Sequence, residues 1–272
     1  MEPEEALAAL RRIGQRPDDE IDLIEAALLL AVRDRPQVAL DRYHAYVDEL
    51  ADTLTAKVAA GQDAAVTALI RTLADDHGYR GDQRTYDDPQ NANLIRVIDR
   101  RRGLPVSLGI LYIGVARRAG LQACGLNFPS HFLIAVDADG TREVIDPFHH
   151  GRRLNAGQMR HLVRTLAQAP DLKPEFYAPV GNRDVLLRLQ NNVKIRAVQS
   201  EQPQRAIQTL EAMVALAPDH GESWRELGVL RAHVGELLGG IDALERSLSL
   251  HGDDGERHRI AILLQQLRGS MN

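Results

Sequence analysis

The stretch RRGLPVSLGILYIGVARRAG, residues 101–120, restricts the fold more than any other in the chain. Leu104, Leu108, Leu111, Tyr112, Val115 and Ala119 recur with the 3.6-residue period of a helix, and Val106, Ile110 and Ile113 spread the apolar surface further around it. A helix that is apolar nearly all round has no face to give to water, so it belongs in the interior with the rest of its domain wrapped about it. Pro105 suits the first helical position, where a missing N–H costs nothing. Arg117 and Arg118 suit the negative end of the helix dipole, and Gly120 suits a left-handed stop. The hydroxyl in the first turn is Ser107, and its place at the mouth of a buried helix poses the functional question.

Bulk properties narrow the answer. With 272 residues, 44% hydrophobic and 26% charged, the composition is that of an ordinary soluble protein. A net charge of −5 argues against phosphate-backbone binding, so no nucleic-acid partner is expected. The single cysteine, Cys124, permits no internal disulfide and suits a reducing compartment. MEPEEALAAL is acidic where a signal peptide is basic, and the early apolar run Ala26–Val32 is too short to span a bilayer. The expectation is a cytoplasmic protein with no membrane contact.

Along the chain, residues 1–80 read as a helical region. Amphipathic segments are centred on Ile24 and Leu28, on Val47 and Leu50, and on Val66 and Leu69. Residues 81–166 form a core in which glycine, proline and β-branched residues appear, and the Pro-bearing stretch 167–183 reads as a linker over the surface. Residues 184–272 return to helix with an internal repeat. AIQTLEAMVALAPDH (206–220) aligns with GIDALERSLSLHGDD (240–254) at a spacing of 34, matching Ile207 to Ile241, Leu210 to Leu244 and Leu216 to Leu250. With Trp224, Leu227 and Gly228 opening the second unit and Pro218 closing the first, this is the period of tetratricopeptide (TPR) repeats. Such helix pairs stack into concave faces, so this segment is expected to bind a protein or peptide partner or to lock onto the core.

In the core, HFLIAV and TREVID are short strand-like runs separated by DADG. If residues 137–140 form the loop, His131 sits opposite Asp146; if Asp139 and Gly140 alone turn, Asp146 faces Leu133 and lies diagonal to His131 on the same face. Either register pairs an imidazole with a carboxylate that fixes its tautomer. A residue at the N-terminus of a buried helix, then a histidine, then an aspartate is the order of a thiol-protease-like triad, with Ser107 where a thiol is expected. Ser107 as nucleophile needs His131 within hydrogen-bond reach. Otherwise it is a tolerated first-turn hydroxyl.

The helix–strand–strand order resembles the transglutaminase-like fold. GYRGD, YDDPQN, RRRGLPVSLGILYIGVARRAGL, GLNFPSHFLI and IDPFHHGRRL together resemble the bacterial SirB-type family. The resemblance implies an α+β, mostly α, architecture: a transglutaminase-like (papain-like) core with a small antiparallel sheet, a helical N-terminal region and C-terminal TPR-like helical hairpins. It also implies that the core's cysteine is commonly replaced by Ser or Thr, with no firmly attached reaction and a role in control. The family has glycine before its histidine and an aromatic residue after its DPxN motif; here Ser130 and Asn93 stand there.

Plainer readings compete at several places. Cys124 lies on a strand leading towards Pro129, where a free thiol is usually buried and inert. His131, His149, His150 and Asp146 fit no closed zinc pattern, and adjacent histidines poorly serve one ion, so a solvated turn is the reading and neither metal nor cofactor is expected. Asp88 and Pro89 read as a helix N-cap and first position. Arg100, Arg101 and Arg102 read as a basic last turn with Gly103 as its C-cap. Two functions of different classes follow: a non-catalytic, regulatory protein-interaction module, or a hydrolase or acyltransferase using Ser107, His131 and Asp146. An alcohol gains far less than a thiol from a helix N-terminus, which favours the first.

Overall fold

The buried helix runs from Pro105 to Arg118, with Pro105 at its first position, residues 105–116 all buried and Gly120 left-handed beyond its end. The computed structural model describes residues 1–138, 140–167 and 171–269. The chain is mostly helical and divides into two units, one of Met1–Ala6 and Pro17–Leu189, the other of Leu7–Arg16 and the residues from Gln190 onward.

Helix α1 spans Pro3–Ile13. In the first unit, α2 (Leu23–Val32) is capped by Asp22, whose side chain accepts from the Ile24 and Glu25 amides; it is followed by α3 (Asp41–Ala59) and α4 (Ala65–Ile70). α4 runs on as a π-helical stretch, Arg71–Asp76. β1 (Arg80–Gly81) pairs in parallel with β2 (Arg102–Gly103), and α5 (Leu94–Arg100) lies between them in sequence, before the buried helix, α6. Then come β3 (Gln122–Leu126), β4 (Ile134–Ala138), β5 (Thr141–Asp146), β6 (Arg152–Leu154), α7 (Ala156–Leu166) and β7 (Pro179–Val180). They form an antiparallel sheet in the order β6-β5-β4-β3-β7. Leu126, Leu133 and Ala135 bury one face against Met159 and Val163 of α7.

Two expectations are corrected here. The stretch 167–183 is more than a linker: β7 extends the sheet through Gly125–Val180 and Leu126–Pro179 pairs, with Pro179 tolerated because it lies on an edge strand. Residues 168–170 of that stretch lie outside the described residues. The three arginines do not end on a glycine cap: Arg101 itself takes the left-handed conformation (φ 57°) after α5, and Gly103 lies in β2. Gly103 serves the site instead, since a Cβ there would fall 2.6 Å from Ser107 Oγ.

Helix α8 (Asn182–Gln199) carries the chain into the second unit, which holds α9 (Pro203–Leu216), α10 (Gly221–His233), α11 (Leu237–Leu250) and α12 (Asp254–Gly269). α9 and α11 are the repeated segments read from the 34-residue spacing. Trp224 donates its indole N–H to the Pro218 carbonyl (2.9 Å), fixing the turn between repeats. Gly228 lets α10 approach α11 closely, for a Cβ there would fall 2.6 Å from the Leu244 side chain. Ile241, Leu244, Ile260 and Leu264 close the core of the last hairpin. No helix among the described residues is long and apolar enough to cross a membrane.

Candidate functional site

The first turn of α6, the loop before β4 and the end of β5 carry the three residues singled out by sequence. Ala138 pairs with Thr141 and Ile134 with Ile145, so the register is the one in which Asp139 and Gly140 alone turn; Asp139 itself lies outside the described residues. His131 is not on a strand as expected but three residues ahead of β4. Its Nε2 lies 3.0 Å from Asp146 Oδ1, and both side chains are buried. The ring nitrogen is not aimed along that vector, so Nε2 gains an ion-pair distance without an aligned hydrogen bond and has no other partner.

Asp146 serves a second purpose. It caps the one-turn 3-10 helix Pro147–His149, its Oδ1 accepting from the Phe148 amide at 3.1 Å and the His149 amide at 3.3 Å. Its Oδ2 lies 2.7 Å from His149 Nδ1. Burial pushes the Asp146 carboxyl up, but the two imidazole contacts outweigh it and hold the group below the usual carboxylate range. The turn is solvated as expected, with His149 and His150 both exposed, but His149 also meets Asp146, while His150 is left-handed (φ 55°).

Ser107 stands apart from that pair. It is wholly buried, and its hydroxyl donates to the Asn91 carbonyl (2.7 Å) and the Leu104 carbonyl (3.1 Å) rather than to His131. Asn91 is held in turn: its amide donates to the Thr85 carbonyl, and Arg100 donates to its Oδ1 at 3.1 Å. Arg100 also meets Asp82, which accepts from the Arg84 and Thr85 amides and the Thr85 hydroxyl. Burial raises the Asp82 carboxyl, yet these donors outweigh it and bring its pKa down to about 2. Asp88 is the N-cap of the 3-10 helix Pro89–Ala92, as read from sequence, and Asn93 caps α5 while donating to the Ala31 carbonyl.

Two side chains bear on the site without a local sequence cue. Arg188 of α8 donates to the Phe128 and His131 carbonyls (2.9 and 2.6 Å) and stacks over the Phe132 ring, holding the loop that carries His131. Tyr112 is wholly buried below the site, and its hydroxyl has no hydrogen-bond partner among the described residues; burial raises its pKa. Cys124 is half-buried on β3, and burial pushes its thiol up, away from nucleophilic readiness.

An interior helix mouth, a histidine just ahead of a strand and an aspartate at the end of the next, followed in sequence by helical repeats, define a transglutaminase-like protein with a TPR region. The chain belongs to the transglutaminase-like superfamily and, within it, to the UPF0162 proteins. The superfamily's model matches residues 41–191, and a tetratricopeptide repeat model matches 193–265. The chain is 30% identical over 240 residues to a UPF0162 protein of Xylella fastidiosa, spanning 86% of this chain and 85% of that one. It is 29% identical over 279 residues to a UPF0162 protein of Pseudomonas aeruginosa, spanning 98% and 97%. A shorter likeness, 30% over 140 residues, joins 48% of this chain to 22% of F-box only protein 21 of Mus musculus.

Proposed function

We propose that this chain is a SirB-type, non-catalytic member of its superfamily that works in the cytoplasm as a regulatory protein-interaction module, with Ser107 in place of a thiol nucleophile. The observation that carries this reading is the direction of the Ser107 hydroxyl. Its proton is directed to the Asn91 and Leu104 carbonyls, and among the described residues no hydrogen bond joins it to an imidazole. Full burial also keeps an acyl donor from its oxygen. The interaction half of the reading is supported by a groove of about 480 Å³ in the repeat region. Asn191, Lys194, Ile195, Val198, Leu210 and Val229 are among the residues that line it. Ile195, Val198 and Val229 are each more than 40% exposed there, apolar surface of the kind that marks a binding site for a protein segment.

The test is a rapid-mixing assay with activated esters and amides on wild type and Ser107→Ala. No acyl-enzyme burst is expected from either. A stoichiometric burst from wild type, lost in Ser107→Ala, would overturn the reading in favour of a hydrolase or acyltransferase built on Ser107, His131 and Asp146. Ser107→Cys adds a second readout. A thiol at an open helix mouth should alkylate with iodoacetamide faster than free cysteine at about pH 6, whereas a thiol buried against two carbonyls should alkylate more slowly. The slow outcome is expected.

A further inference from the structure

We propose that His131, Asp146 and His149 hold one divalent transition-metal ion, zinc or a metal of similar borderline softness, through His131 Nε2, Asp146 Oδ2 and His149 Nδ1. The donor atoms of the three residues lie within 4.8 Å of one another. Within the cluster, His131 Nε2 is 3.0 Å from one Asp146 oxygen and His149 Nδ1 is 2.7 Å from the other. Metal–nitrogen and metal–oxygen bonds of about 2.0–2.1 Å put neighbouring donors about 2.9 Å apart at right angles and about 3.3 Å apart in a tetrahedron. Each imidazole already lies about one such spacing from an Asp146 oxygen, and a turn of the half-exposed His149 side chain would bring the three donors to metal distance.

The second observation is the nitrogen left over. His131 Nε2 is shielded from solvent, its side chain is 8% exposed, and it has no aligned hydrogen bond although a carboxylate stands 3.0 Å away. A buried polar atom without a partner is rare in a folded protein and calls for a specific explanation. A metal ion lying off the N···O vector gives it one.

The surroundings are arranged as an outer shell. Asp146 Oδ1 is pinned by the Phe148 and His149 amides, and Oδ2, whose partner is the His149 ring nitrogen, is the oxygen that a metal would share with that ring. Arg188 fixes the loop of His131 through its backbone carbonyl, and the Phe148 ring packs edge-on against both imidazoles. Outer-shell contacts of this kind orient ligands and raise metal affinity. Two imidazoles and one carboxylate favour transition metals over calcium or magnesium, which take oxygen ligands. Three protein ligands would leave a coordination position for water or a ligand. The adjacent His150 is excluded by its left-handed backbone and exposed side chain. This inference goes beyond the proposed function and does not depend on it.

The test uses the full chain stripped with a chelator and titrated with ZnCl2 by calorimetry, then with CoCl2 by visible absorption. Wild type is expected to bind one equivalent of Zn2+ and to show cobalt d–d bands. His149→Ala should weaken zinc binding by more than the roughly 10- to 100-fold that loss of an outer-shell partner costs, and should abolish the bands. His150→Ala should bind as wild type does. His149 is 45% exposed on its side chain, so its removal leaves the fold intact, and a far-ultraviolet spectrum of each variant confirms it. No binding by wild type, several weak equivalents unchanged by His149→Ala, or equal losses in the two variants would each overturn the proposal. None of these outcomes bears on the chemistry of Ser107.

Discussion

Two buried polar clusters flank the start of α6, and they differ in how completely they are satisfied. Around Asp82 the carboxylate has donors from Arg84, Thr85 and Arg100, Arg100 also serves Asn91, and the Asn91 carbonyl receives Ser107 and the Leu104 amide. Around Asp146 there are also several donors, yet one buried nitrogen, His131 Nε2, is unmatched. A closed network rigidifies a loop and has no capacity left for a ligand; an open one stores the capacity to bind. By its hydrogen bonds Ser107 belongs to the closed Asp82 network and not to the open cluster around Asp146.

The largest effect that separates the clusters is on stability. Removing one member of a closed, buried ion pair leaves charges and donors uncompensated, so Asp82→Ala should cost about 3–5 kcal/mol in urea unfolding. His149→Ala removes one partner of a carboxylate that keeps two amides and the His131 contact, and should cost less, about 1–2 kcal/mol. Equal costs would erase the distinction.

Acid offers a finer probe. Asp82 has a folded-state pKa of about 2 against an unfolded value near 3.8. A depressed carboxylate contributes stability that is fully present above the unfolded value and lost as pH falls through the folded one. That loss should amount to about 2 kcal/mol between roughly pH 4 and pH 2. Wild type should therefore destabilise more steeply than Asp82→Asn across that window, and parallel curves would show that the network does not hold the charge.

The smallest effect lies beside the open cluster. Ser130, immediately before His131, has φ 58°, a conformation that costs a non-glycine residue about 1–2 kcal/mol. Glycine relieves it but loses more chain entropy on folding, by roughly 0.5–1 kcal/mol. Ser130→Gly should therefore stabilise by about 0.5 kcal/mol, seen as a small rise in Tm. A fall would mean that the serine side chain supports the loop.

Much of this was legible beforehand because it rests on local rules. Pro105 and the apolar period locate α6, Asp88 and Pro89 mark a cap, and the 34-residue spacing gives the repeats, whereas the strand period expected to pair His131 with Asp146 stops short of His131, which meets Asp146 from the loop before β4. What stayed hidden depends on distant partners. The carbonyl that captures Ser107 is 16 residues away, and the arginine that holds the His131 loop comes from a helix 57 residues on. Adjacent histidines read as a solvated turn, and nothing local signals that one of them, His149, also reaches the Asp146 carboxylate. A proline-bearing stretch gives no strand period, so the two-residue β7 left no trace.

That short edge strand also fixes an order of events. β4 and β5 meet across a tight turn, whereas β7 returns to β3 only after about 55 residues of chain, a closure that costs on the order of 3–4 kcal/mol of chain entropy. Two strand pairs, the Asn127 amide on the Ala178 carbonyl, and Leu172 and Phe176 packed on the sheet's core offset that closure. The meander from β3 to β6, with its shorter closures, is therefore expected to assemble before β7 joins it. β7 leads directly into the helix that bears Arg188, so its pairing also seats the residue that holds the loop of His131.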